Sequence, residues 1–206
     1  MASELVKLKQ ELIAISEASE LGFNYTPTAK DQIEALAEKL EALNPTTEPT
    51  NNIELIQGRW RLLYSTFGLE RETTLQRLSF GKLPNVVVEV TGIFQEVYLI
   101  GQQYNNIIEF RTGSDVLGIL LVKGRYTIED SKRLNIDFLS TSVKSANDDL
   151  SDDAFYETLG IENELVESTL SFSGWADITF LDENLRLVRG NQQNLYVLLR
   201  DEKVSN

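Results

Sequence analysis

The side chains available for catalysis are few, because the sequence contains neither histidine nor cysteine. Imidazole-dependent triads, thiolate nucleophiles and the usual zinc, haem and non-haem iron sites each need one of these residue types. Carboxylates could still transfer protons if one points into a protected site where its pKa is raised. The carboxylates on predicted strands are Glu89, Glu96, Glu109 and Asp137. Strand alternation turns Glu109 outward, so we predict a protein without catalytic activity or cofactor.

A second group of residues is suited to closing the end of a β-barrel. In GRWRLLYST, Gly58 and Trp60 open the first predicted strand after a helical lead-in. A large aromatic side chain at that place suits the base of a barrel, where an arginine can stack on the indole ring. We expect Arg189, followed by Gly-Asn, to be that arginine, with Arg186 as the alternative. Trp60 is then part of the floor and not a ligand contact.

Alternation along the strands also predicts which side chains face the barrel interior. Trp60, Leu62 and Tyr64 share one face of the first strand, and Ile108 and Phe110 share one face of a later strand. A lipophilic cavity needs inward apolar and aromatic side chains, but a barrel filled by its own side chains shows the same pattern. The predicted ligand contacts are Leu62, Tyr64, Ile108, Phe110, Tyr126 and Tyr196.

The elements that must position these residues follow from the apolar spacing. Residues 1–49 contain two segments with apolar residues three or four apart, which predicts a helical hairpin. Residues 50–202 contain short strand-like runs separated by turn signals, which is typical of an antiparallel meander closed as a barrel or folded as a sandwich. A barrel leaves no exposed strand edges, so we favour it. Residues 203–206 form a tail.

One acidic stretch, residues 143–166, interrupts the series of strands. Its pattern suggests a helical turn at 153–159 within a solvated loop, as is usual for runs of charge. Clustered aspartates raise the question of calcium, but no register has glycine at the sixth and glutamate at the twelfth position of an EF-hand loop. We therefore predict no metal site.

The overall charge and hydropathy indicate the kinds of partner. A net charge of −13 argues against nucleic acid. The sequence lacks an apolar run of about 18 residues, and its first residues resemble neither a secretory signal nor a transit peptide. These features predict a cytoplasmic protein, with peripheral membrane attachment as an open alternative. They do not indicate an oligomeric state.

Three stretches together resemble a known family. GRWRLLYST at 58–66, FLDENLRLVRGNQQNLYVLLR at 180–200 and ALNPTTEPT at 42–50 are similar to the plastid-lipid-associated proteins, also called PAP or fibrillin proteins. Without a transit segment, the chain resembles the cyanobacterial members. The family-typical residues present are Gly58, Trp60, Leu63, Tyr64, Asp182, Arg186, Arg189, Gly190 and Asn191.

The resemblance implies a lipocalin-like barrel in a protein that is mainly β. It also implies binding or sequestration of lipophilic molecules, such as carotenoids, fatty acids, quinones or other isoprenoids, at the thylakoid or lipid-globule surface. A role in photoprotection and stress would follow. The resemblance carries over no catalytic residue. The alternative is a structural or protein-interaction module of membrane-associated complexes that holds no small ligand.

Overall fold

The N-terminal part of the chain is a helical hairpin. The structure is a computed structural model, and the residues it describes are 2–24, 26–147, 149–161 and 167–201. The hairpin consists of α1 (Ala2–Ala18) and α2 (Pro27–Ala42). Thr26 caps α2, because its side chain accepts a hydrogen bond from the N–H of Ala29 and a proline follows it in the first turn. The predicted hairpin is confirmed.

The remainder of the described chain is mainly antiparallel sheet, with three short α-helices and a few single-turn 3-10 helices. The α-helices are α3 (Ile53–Ile56), α4 (Leu75–Leu78) and α5 (Asp152–Leu159). The strands are β1 (Gly58–Ser65), β2 (Glu72–Thr74), β3 (Val87–Tyr98), β4 (Gln103–Thr112), β5 (Leu117–Ile128), β6 (Arg133–Ser145), β7 (Glu167–Leu181), β8 (Leu185–Gly190) and β9 (Leu195–Arg200).

The sheet closes on itself through its first strand. Strands β3 to β9 follow one another as neighbours, and β1 pairs with β9 on one side and with β3 on the other. Trp60 therefore lies between Gln95 of β3 and Arg200 of β9. The short strand β2 pairs with β3. The closed antiparallel barrel of eight strands confirms the predicted fold class.

Two apolar cores lie on opposite faces of the barrel wall. The interior core includes Trp60 and Leu62 from β1. The second core lies between the outside of the barrel and the hairpin, and joins Leu12 of α1 and Leu40 of α2 to Leu63 of β1. The hairpin thus buries its apolar stripe against the outer face of the barrel.

A β-bulge in β1 changes which side chains face inward. Leu62 pairs with Leu198, and Tyr64 pairs with the adjacent residue Val197. Leu63 is therefore an extra residue in β1 relative to β9. Beyond the bulge Tyr64 lies in the core beneath the hairpin. The predicted inward orientation of Tyr64 is therefore wrong, because alternation was continued through a residue that breaks it.

The acidic stretch is more structured than its charge suggested. Its first residues complete β6, and α5 begins after Ser151, whose side chain accepts a hydrogen bond from the N–H of Ala154. Phe155 and Leu159 of α5 are buried in the interior core, so the expectation of a solvated loop is wrong for this helix. Residues 148 and 162–166 of this stretch, residue 202 and the predicted tail at 203–206 lie outside the described residues. Among the described helices, none is both long and apolar enough to span a membrane.

Candidate ligand-binding site inside the barrel

The floor of the barrel is formed around Trp60. Its side chain is fully buried, and its indole N–H donates a hydrogen bond of 2.8 Å to the carbonyl oxygen of Ile56 in α3. Gly58 has a φ of +125°, and a Cβ at this position would lie 2.8 Å from Nη1 of Arg200. Glycine therefore meets both a backbone and a steric requirement at the start of β1.

Arg200 stabilises this floor, although no sequence pattern identified it as a residue of the barrel floor. Its guanidinium carbon lies 4.2 Å from the centroid of a Trp60 ring. Its three nitrogens donate hydrogen bonds to the carbonyl oxygens of Glu183, Gln57 and Leu55 at 2.5–2.8 Å. The signal that could have identified Arg200 is the pairing of the first and last strands, which places it directly beside Trp60.

Arg189 does not stack on Trp60, and this prediction is wrong. Its side chain points out of the barrel, where Nε donates a 2.9 Å hydrogen bond to Glu41 and Nη1 lies 2.6 Å from an oxygen of Glu34. Both glutamates belong to α2. Arg189 follows Arg186 by three residues on one regular strand, so the two side chains lie on opposite faces.

Arg186, the alternative, lies inside the barrel. Its guanidinium carbon is 4.7 Å from the centroid of a Trp60 ring, and the residue is fully buried. Nη2 donates a 2.8 Å hydrogen bond to Oε1 of Gln95. Burial lowers the pKa of Arg186 to about 10; Tyr104 partly opposes this shift, and the positive charge of Arg200 adds a smaller lowering effect. The guanidinium is therefore still charged at neutral pH.

Gln95 and Tyr104 complete the polar part of the floor. The Tyr104 hydroxyl donates a 2.8 Å hydrogen bond to the same Gln95 oxygen that accepts from Arg186. Burial raises the pKa of Tyr104 above its usual value. Neither residue was predicted, and alternation along β3 and β4 is the signal that could have identified them.

The walls above the floor are apolar and aromatic. Leu62, Ile108, Phe110 and Tyr126 are buried in the interior core. The ring of Phe110 lies across Gly118, where a Cβ would come within 2.2 Å of it. Tyr196 packs against the same core, and burial raises its pKa to about 12. All the predicted ligand contacts except Tyr64 thus face the interior; whether they contact a ligand stays a prediction.

The end of the barrel opposite the floor is filled by two short helices. Leu75 and Leu78 of α4 and Phe155 and Leu159 of α5 all join the interior core. Phe155 is the largest of these side chains and is fully buried. A ligand that reaches this end of the barrel must displace part of this packing.

The strand carboxylates considered for acid–base chemistry lie outside the interior core of the barrel. Arg59 pairs with both Glu96 and Glu109 at 3.2 Å. Asp137 accepts a 2.6 Å hydrogen bond from Ser173, and Glu89 lies 3.9 Å from Arg71. In the part of the chain that the structure describes, the buried polar side chains do not include a carboxylate.

Comparison with known proteins gives a consistent family signal. The PAP_fibrillin family model matches residues 6–199. "Probable plastid-lipid-associated protein 12, chloroplastic" of Arabidopsis thaliana is 30% identical over 95% of this chain, which spans 44% of that protein's length. "Chromoplast-specific carotenoid-associated protein, chromoplastic" of Cucumis sativus is 26% identical over 97% of this chain, and the match covers 69% of the Cucumis sativus protein. No solved structure was found to match the chain.

Proposed function

Because the chain belongs to the PAP_fibrillin family, which matches residues 6–199, we propose that it binds small lipophilic molecules inside its barrel without transforming them. The candidate ligands are carotenoids, fatty acids, quinones and other isoprenoids. One relative is named as carotenoid-associated and several as plastid-lipid-associated, which supports this class of ligand. The activity would sequester its ligand, with a role in photoprotection and stress.

The observation that carries this proposal is the interior core of a barrel closed at one end. Trp60 and Arg200 close the floor, and the side chains above it are almost all apolar or aromatic. An apolar molecule that enters such a site loses its contact with water, which favours binding by roughly 25 cal/mol for each Å² removed from water. A ligand would take the place of the side chains that α5 contributes to the interior core.

We propose that the protein acts at the surface of the thylakoid or of lipid globules. The end of β3 and the turn that follows it support contact with a lipid surface, because Tyr98, Leu99 and Ile100 are consecutive and exposed. Ile100 is 86% exposed. Contiguous exposed apolar side chains are typical of contact sites, whereas isolated ones are common on any surface.

Native mass spectrometry tests interior binding. The delipidated 206-residue chain is incubated with a thylakoid lipid and pigment extract, separated from free lipid and analysed. We expect retention of a lipophile with a defined stoichiometry. The Ile100→Ser variant is the matched control, since it should lose molecules adsorbed to the exposed turn and keep those bound inside the barrel.

Two results would contradict this proposal. A folded chain that retains no lipophile would exclude interior binding. Retention that disappears in Ile100→Ser would show that the lipids were bound at the surface turn. Protein partners that stay bound to the delipidated chain, together with either result, would favour the interaction module.

A further inference from the structure

Arg186 is a buried cation without a charged partner. Among the residues that the structure describes, it is the one charged side chain in the buried set. Moving a guanidinium out of water is costly unless an anion and hydrogen bonds compensate for the lost hydration. The protein therefore carries an energetically unfavourable group at the floor of its otherwise apolar interior.

The contacts of Arg186 leave much of its hydrogen-bonding capacity unused. Nη2 donates to Gln95, but Nε and Nη1 have no hydrogen-bond partner among the described residues. Stacking on Trp60 provides a weak attraction to the cation and accepts no conventional hydrogen bond from these nitrogens. Two donors of a charged group thus face the interior unpaired.

The neighbours of Arg186 make the floor attractive to an anion. Gln95 and Tyr104 carry no charge, and Arg200, which stacks on the same Trp60 side chain, adds a second positive charge. Tyr126 lies on β5 near the same end, and its buried hydroxyl also has no hydrogen-bond partner among the described residues. Positive charge and unpaired donors therefore lie at the closed end, below the apolar walls.

We propose that Arg186 binds the carboxylate of an amphiphilic lipid whose apolar chain extends from the floor toward α5. The inference rests on the proposed function; it selects long-chain carboxylic acids from the candidate ligands and assigns Arg186 as the residue that binds their carboxylate. Guanidinium and carboxylate form charge-assisted hydrogen bonds, which are stronger than bonds between neutral groups. A neutral hydrocarbon or quinone would leave the buried charge without its anion.

Binding of two lipids of equal chain length tests the assignment. Hexadecanoic acid and hexadecan-1-ol are titrated into the delipidated full chain at pH 8 by isothermal titration calorimetry. We expect the acid to bind about tenfold or more tightly than the alcohol, which corresponds to loss of one charge-assisted hydrogen bond in the alcohol complex. This comparison needs no altered protein.

An arginine variant then assigns the preference to one side chain. In Arg186→Met we expect the preference for the acid to disappear while the alcohol binds as before, since methionine keeps an apolar shape without the charge. Arg125→Met, on an exposed residue of β5, is the matched control and should keep the full preference.

The outcomes separate this inference from the proposed function. Equal affinity for acid and alcohol in the unaltered chain, or an undiminished preference in folded Arg186→Met, would overturn the role of Arg186 and leave lipophile binding standing. A folded chain that binds neither lipid, and retains none from the thylakoid extract, would overturn both. If Arg186→Met does not fold, the comparison of acid and alcohol decides alone.

Discussion

Buried tyrosines make the stability of the protein sensitive to alkaline pH. Burial raises the pKa of Tyr104, Tyr126 and Tyr196, and that of Tyr196 reaches about 12 because Tyr104 adds to the effect and a hydrogen bond with Ser65 only partly offsets it. An unfolded tyrosine ionises near pH 10. Between these values the unfolded chain binds fewer protons than the folded chain, so each such tyrosine lowers stability as pH rises.

Tyr196→Phe should therefore reduce the loss of stability at high pH. Phenylalanine cannot ionise in either state, so we expect the free energy of unfolding of the variant to fall by about 1 kcal/mol less than that of the unaltered chain between pH 9 and 11. Urea unfolding at the two pH values measures the difference. The same pH dependence in both proteins would show that the Tyr196 hydroxyl is not protected by burial.

At the scale of single residues, the sequence was informative where a strand is regular and misleading where it is not. Alternation placed Trp60 and Leu62 correctly, but the bulge at Leu63 has no signature in the sequence and sends Tyr64 to the other face. The choice between Arg186 and Arg189 likewise depended on which residues of a strand face the interior. Either arginine could stack on an indole, and only the register of β8 shows which one faces inward.

At the scale of elements, α5 combines an acidic surface with a buried aromatic plug. Asp152 and Asp153 occupy its first turn, where negative charge is favourable near the positive end of the helix dipole. Phe155 and Leu159, four residues apart, share the face that enters the barrel. The helix therefore contributes to the interior core through one narrow stripe.

Phe155→Ala should weaken folding and enlarge the interior. Truncation of a buried phenylalanine costs about 3–5 kcal/mol, partly through the cavity that it leaves. We expect a lower urea midpoint, partial recovery on addition of hexadecanoic acid, and tighter binding of the acid than in the unaltered chain. Glu157→Ala, an exposed position on the same helix, is the control and should change neither quantity. Loss of stability without any gain in affinity would separate α5 from the ligand site.

The elements were predictable because local patterns encode them, whereas their closure was not. Short alternating runs identified the strands, and apolar spacing identified α1 and α2. The decision between a barrel and a sandwich depends on the pairing of β1 with β3, two strands separated by a long connection. No local pattern specifies that contact, so the barrel was favoured only because it leaves no exposed strand edges and because the chain resembles PAP proteins.

At the scale of the whole molecule, the hairpin and the barrel are joined by an apolar core and by ion pairs around its edge. Arg189 of β8 reaches Glu34 and Glu41 of α2, and its side chain is only 13% exposed. Arg61 of β1 makes a second pair with Glu17 of α1, but both of these side chains are about half exposed. Both arginines connect a barrel strand to the hairpin, but Arg189 is mostly buried whereas Arg61 is about half exposed.

Arg189→Met should loosen the hairpin more than Arg61→Met. Removing Arg189 leaves two partly buried glutamates without their cation, for which we expect a loss of about 1–3 kcal/mol in the free energy of unfolding. The exposed pair should contribute no more than about 0.5 kcal/mol. Hydrogen exchange should show faster exchange in α1 and α2 of Arg189→Met, with the barrel strands little affected. Equal effects of the two substitutions would contradict the role given to burial.

The pairing of β1 with β9 also determines how the connectivity of the barrel strands could be changed. The N–H of Asp201 donates a 2.9 Å hydrogen bond to the carbonyl oxygen of Arg59, so the two ends of the barrel segment lie side by side at the floor. A short linker could therefore join them without changing any strand neighbour, and new ends could be opened in the exposed turn at Ser114 between β4 and β5. The strands of the barrel thus form a closed ring, and circular permutation should preserve their order.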